Sequence, residues 1–91
     1  MHKYKVSVKK AAIKRISKAP ESIQILFDEL VEDLEEKGPI LPNWPNYSKL
    51  RKQNSNYHCH LKNSWVACWH CNNESIVIEV YYAGSRENAP Y

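Results

Sequence analysis

The spacing of apolar positions changes along the chain, and each change marks an element. Residues 3–8 set Tyr4, Val6 and Val8 against Lys3, Lys5 and Ser7, the period of two expected of a half-buried strand. From Lys9 to Ser17 the spacing lengthens, and Ala12, Ile13 and Ile16 form an apolar stripe among basic residues, which predicts a short amphipathic helix. Lys18-Ala19-Pro20 interrupts it, because proline disfavours helical geometry at the residue before it but suits the first turn of a new helix. The second helix is predicted from Pro20 to Lys37, with Ile23, Leu26, Phe27, Leu30, Val31 and Leu34 on its apolar face. Glu21 near its start and Lys37 in its last turn complement the helix dipole, and Gly38-Pro39 stops it.

Residues 39–56 read as a loop stiffened by Pro39, Pro42 and Pro45, with Ile40, Leu41 and Trp44 expected to tether it to the core. Period two then returns: Tyr57, Cys59 and Leu61 alternate with His58, His60 and Lys62. A second strand, Ser64 to Cys71, is joined by Asn72-Asn73 to a third, Ser75 to Ala83. The expected architecture is one α+β domain over residues 1–91, in the order β-α-α-β-β-β. Two helices pack on one side of a small antiparallel sheet, and the other side is left accessible.

A chain of 91 residues supplies apolar side chains for one two-layer core and little room for an enclosed substrate cavity. The net charge of +3 hides an uneven distribution. Residues 1–19 carry seven bases and no acid, whereas residues 20–37 carry seven acids and one lysine. A basic first segment and a mildly basic sheet can form an electropositive face toward nucleic acid, with the acidic helix turned elsewhere. Three cysteines cannot all pair, and nothing near residue 1 resembles a signal peptide or a membrane span, so reduced thiols and a cytoplasmic location are expected.

Cys68 and Cys71 have the spacing of a zinc or redox pair, but on a strand positions three apart point to opposite faces, and no second such pair exists. No metal or cofactor is therefore expected. RNA cleavage needs neither, because RNA carries its own nucleophile in the 2′-hydroxyl. A protein need only align that oxygen, move protons and neutralise phosphoryl charge. Alternation puts His58, His60 and Lys62 on one strand face, so groups able to move or carry a proton project together. Arg86, just after the last strand, can hold anionic oxygens, and Tyr91 can donate a phenolic proton or stack on a base. Lys49, Arg51 and Lys52, with Lys62, are the candidates for phosphate attraction.

The order of these pieces resembles the RelE/ParE toxin superfamily of bacterial toxin–antitoxin systems. It is carried by the basic first strand and helix, the acidic helix ending near Gly38, Tyr57-His58-Cys59-His60-Leu61, the aromatic strand from Trp65 to Trp69, and Tyr81-Tyr82-Ala83-Gly84-Ser85-Arg86 with Tyr91. The resemblance implies a helical pair on a twisted sheet with a working concave surface. It implies a ribosome-dependent, metal-independent endoribonuclease that cuts mRNA and is neutralised by a cognate antitoxin. The alternatives it leaves are a ParE-like gyrase inhibitor or a catalytically degenerate antitoxin-binding protein. His58 and His60 stand where RelE-like toxins carry lysines, and His60 also matches a functional histidine of the YafQ-like branch. Lys62 matches a further basic position, Arg86 a functional arginine or histidine, and Tyr91 a functional terminal aromatic. Two departures concern the same surface: Val66 stands where RelE carries an arginine, and Ser64 where the YafQ-like motif carries an acid.

Overall fold

In a computed structural model, which describes residues 3–50, 55–72 and 76–91, the chain runs β1 (Lys5–Val8), α1 (Lys10–Ser17), α2 (Glu21–Lys37), β2 (Ser48–Lys49), β3 (Asn56–Lys62), β4 (Trp65–Cys71), β5 (Val77–Ser85) and a 3-10 turn, Arg86–Asn88. The helices form where the apolar spacing predicts them, and the fold is α+β. A tight turn separates α1 from α2, held by Gln24 Nε2, which donates to the carbonyl of Ala19 at 2.9 Å. Helix α2 ends at Gly38, whose φ of +89° is closed to residues with a Cβ, and a Cβ there would lie 2.7 Å from the Tyr4 ring.

The sheet order is β1-β5-β4-β3-β2. It is mixed, not wholly antiparallel, because β1 runs parallel to β5 from Lys5 beside Val77 to Val8 beside Val80. The backbone amides of Lys3 and Tyr4 both donate to the carbonyl of Glu35, so the helical hairpin returns the chain beside the start of β1. The following loop then crosses to the far edge, and the meander comes back until β5 meets β1 running the same way. Apolar alternation is the same for parallel and antiparallel neighbours, so the pattern along β1 could not reveal this.

The main core lies between helices and sheet. Ile23, Phe27, Leu30 and Leu34 of α2 and Ala12 and Ile16 of α1 meet Tyr57, Cys59, Leu61, Ala67, Trp69, Ile78, Val80 and Ala83. Two expected apolar contacts fail: Ile13 is 53% exposed and Ile40 63% exposed. On a helix as short as α1 the buried stripe needs only Ala12 and Ile16, one turn apart, which leaves Ile13 at its flank. The loop is anchored instead by buried Leu41 and by two indoles. Trp44 Nε1 donates to Asp33 Oδ2 at 2.8 Å, and Trp69 Nε1 donates to the carbonyl of Pro39 at 3.0 Å.

Irregularities in pairing decide what the other side of the sheet looks like. In β5 the inward residues are Ile78 and Val80 but then Ala83, because a bulge opposite Cys68 and Trp69 shifts the phase. Tyr82 therefore joins Val66 and Cys68 in a second buried cluster, with Tyr81 and Ala89 packed against it. The face expected to be accessible is in part covered by residues 86–91 folding back across it. No helix among the described residues is long and apolar enough to cross a membrane.

Candidate functional site

β3 is hydrogen-bonded on both edges, which holds its alternation in place: Tyr57, Cys59 and Leu61 are buried under the helices, while Asn56, His58 and His60 are half-exposed on the other face. The rings of His58 and His60 lie 6.2 Å apart, centre to centre. Tyr91 arrives from the far end of the chain and sets its ring 4.4 Å from that of His58. The turn that brings it back starts at Ser85, whose Oγ accepts from the Glu87 amide at 3.1 Å, and is pinned by the Arg86 amide donating to the carbonyl of Ser64. Three of the residues expected from sequence, His58, His60 and Tyr91, are thus brought together, with Arg86 exposed at the start of the returning turn.

The lysines fall elsewhere. A bulge between His60 and Lys62 breaks the alternation of β3, so Lys62 is paired with Trp65, whose ring packs on the helix-side core. Lys62 therefore leaves the histidine row that simple alternation assigned it. Lys49 is paired with Tyr57 and places its ammonium 6.0 Å from the centre of that ring, on the side of the sheet opposite the histidines. Arg51 and Lys52 lie outside the described residues. Val66, where the resemblance expects an arginine, is fully buried beside His60 and beneath the tail.

Protonation follows from burial. His58 has its pKa lowered, mainly by desolvation; a hydrogen bond to the Ser48 backbone opposes the shift, and the neighbouring His60 adds to it, so the ring is held neutral near pH 7. The phenol of Tyr91 is pushed above its ordinary value, first by burial and then by Cys68, with the Arg86 charge pulling the other way, so it remains a proton donor. Burial drives the thiols of Cys59 and Cys68 up to about 12, which leaves them as packing groups rather than nucleophiles. Among the described residues no group of three or more His, Cys, Asp or Glu side chains is placed to hold a metal ion.

Other contributors escaped the sequence reading. Ser48 Oγ hydrogen-bonds with His58 Nδ1 at 3.0 Å, and Asn46 Nδ2 lies 3.2 Å from His60 Nδ1. The signal available was the alternation of Asn46 and Ser48 with Tyr47 and Lys49, too short to read as a strand. Arg15 reaches over the uncovered end of β5 and sets its guanidinium carbon 5.1 Å from the centre of the Tyr82 ring, a contact with no local sequence signature. Chemically, the arrangement offers a neutral imidazole, a second imidazole, a protonated phenol and a guanidinium around one shallow surface, a set suited to moving protons at a phosphodiester.

No family model and no curated protein matches the chain. Solved structures do. The archaeal RelE of the RelE–RelB complex from Pyrococcus horikoshii OT3 superposes with a TM-score of 0.79 at 21% identity, covering 96% of this chain and 99% of that one. The isolated RelE toxin of E. coli gives 0.69 at 26% identity over 96% of this chain and 88% of that one. A chain of the E. coli DinJ–YafQ toxin–antitoxin complex gives 0.76 at 11% identity, covering 98% and 99%. The chain shares the fold of these RelE-like toxins.

Proposed function

We propose that this protein is a ribosome-dependent endoribonuclease toxin that cleaves mRNA and is held inactive by a cognate antitoxin. The observation that carries the reading is the meeting of His58, His60 and Tyr91 on one sheet face, within a fold shared with RelE and YafQ toxins. In this mechanism the 2′-hydroxyl attacks the adjacent phosphorus. One imidazole takes the hydroxyl proton as the P–O bond forms, and a protonated group supplies a proton to the departing 5′-oxygen. The products are a 2′,3′-cyclic phosphate and a 5′-hydroxyl. His60 and the neutral His58 share these transfers. Arg86 stabilises charge on the equatorial oxygens, and Tyr91 donates a proton or stacks on the displaced base. The RNA supplies the nucleophile, the phosphorus and the leaving oxygen, and these side chains supply the proton transfers and the charge neutralisation, so the reaction needs no metal.

The partners follow from the same reading. The ribosome presents the mRNA, with Lys49, Arg51, Lys52 and Lys62 contributing phosphate attraction. Two of the neighbours described above come from toxin–antitoxin complexes, RelE–RelB and DinJ–YafQ, which supports an antitoxin here. Such an antitoxin neutralises by covering the histidine face or by displacing the tail that carries Tyr91.

The test is single-turnover cleavage on programmed ribosomes in the presence of EDTA, with ribosome integrity checked separately. His60→Ala and Arg86→Ala each lower the rate by roughly 10²-fold, with smaller effects on binding, since each removes a contribution made in the transition state. Near-normal cleavage by both variants rules out this choice of residues, and inhibition of gyrase supercoiling without any RNA cleavage overturns the nuclease reading.

A further inference from the structure

The shortest strand of the sheet contributes little to stability, because two residue pairs at an edge bury almost nothing: Ser48 and Lys49 are both exposed. Its placement is nonetheless determined from three directions. The His60 amide donates to the carbonyl of Pro45 at 2.8 Å, fastening the loop to β3 just before the strand. Tyr47 stacks on Tyr57 and Trp69, each with centroids 6.2 Å away, and is thereby drawn to the helix side of the sheet. Register then places Ser48 opposite His58 and Lys49 opposite Tyr57.

With Tyr47 held on one side, its neighbours Asn46 and Ser48 fall on the other, and each meets a histidine. Ser48 Oγ is 3.0 Å from His58 Nδ1, and Asn46 Nδ2 is 3.2 Å from His60 Nδ1 and 3.5 Å from its Nε2. Asn46 makes its contact from φ +53°, a left-handed conformation that asparagine tolerates better than most residues. Torsion about χ2 is broad for histidine, and the packing of Tyr91 on His58 does not by itself fix which ring nitrogen faces which neighbour. The Ser48 hydroxyl at one ring nitrogen narrows that freedom for His58 and biases which nitrogen carries the proton of the neutral ring. The Asn46 amide, within reach of both nitrogens of His60, limits the turning of that ring without selecting one of them.

We propose that Asn46 and Ser48 are positioning residues for the proton transfers, each orienting one of the two histidines on β3. The proposal rests on the nuclease reading above. Neither residue touches the reacting atoms; each acts through the imidazole it holds, so its loss lowers the rate of the chemical step and leaves ribosome affinity alone.

The experiment compares wild type with Ser48→Ala, Ser48→Thr and Asn46→Gly. The glycine keeps the left-handed backbone while removing the amide, and threonine keeps the hydroxyl on an edge strand. Both positions are exposed, and thermal unfolding confirms that each variant is folded. Single-turnover cleavage on programmed ribosomes, ribosome affinity and the histidine tautomers by nitrogen NMR of the free proteins are read in parallel. Ser48→Ala and Asn46→Gly each slow cleavage by about 10-fold at unchanged affinity, as loss of an orienting contact does. Ser48→Thr recovers most of the rate, and Ser48→Ala changes the tautomer balance of His58 but not that of His70. Rates within twofold of wild type for both deletions, a loss that appears in affinity instead of rate, or a tautomer balance blind to Ser48→Ala overturns the positioning role while the nuclease reading stands. A wild-type protein that cleaves nothing on ribosomes sinks that reading, and this proposal with it.

Discussion

Removing residues 89–91 and truncating Val66 should be coupled perturbations. Val66 is fully buried in the small cluster with Cys68 and Tyr82, and Ala89 of the returning tail packs against that cluster. Val66→Ala deletes two carbons, at about 0.8 kcal/mol each in lost transfer free energy plus a small cavity term, or about 2 kcal/mol. If the tail supplies the cover, its removal lets water reach Val66 before any mutation. The same substitution then costs only about 1 kcal/mol, and the double-mutant cycle yields a coupling of about 1 kcal/mol. Urea denaturation of the four proteins measures this, supported by thermal unfolding, in which 2 kcal/mol at this chain length corresponds to a fall of roughly 8–15 °C in Tm. Additivity within about 0.3 kcal/mol would show that the tail does not seat on the cluster, and the argument that it shapes this face would fail. The wild-type and truncated proteins also differ in a second readout, since only the first holds Tyr91 against His58.

Gly38→Ala should destabilise by about 2–4 kcal/mol, because the positive φ and the 2.7 Å approach of the Tyr4 ring both penalise a Cβ; denaturant unfolding checks it. Cys59 and Cys68 should resist alkylation at pH 8 in the folded protein, as their pKa values of about 12 exceed the ordinary 9.0. The linked stability is complete below about pH 9 and is lost as pH rises toward 12, because the unfolded chain releases those protons first. For His58 the sign is reversed: its folded pKa lies below 6.5, so the unfolded chain binds the proton first and stability declines as pH falls through that window. His58→Gln should flatten that part of the Tm profile between pH 7 and 5.

Local physics determined much of this protein, and it was legible along the chain. The stripe of Ile23, Phe27, Leu30 and Leu34, the stop at Gly38 and the alternation through Tyr57, Cys59 and Leu61 each depend on residues within one turn or one strand, where a helix or strand period must match burial. The same alternation exposed His58 and His60 as a pair. What it could not contain were relations set by pairing partners. Two bulges decided that Lys62 leaves the histidine row and that Tyr82 turns away from the helices, because one inserted residue changes the face of everything beyond it. Tyr91 meets His58 from more than thirty positions away, Arg15 meets Tyr82 around a sheet edge, and β1 joins β5 in parallel across almost the whole chain. Such contacts form only when the complete sheet supplies the surface, so their free energy belongs to the assembled fold and leaves no period in the sequence that encodes it.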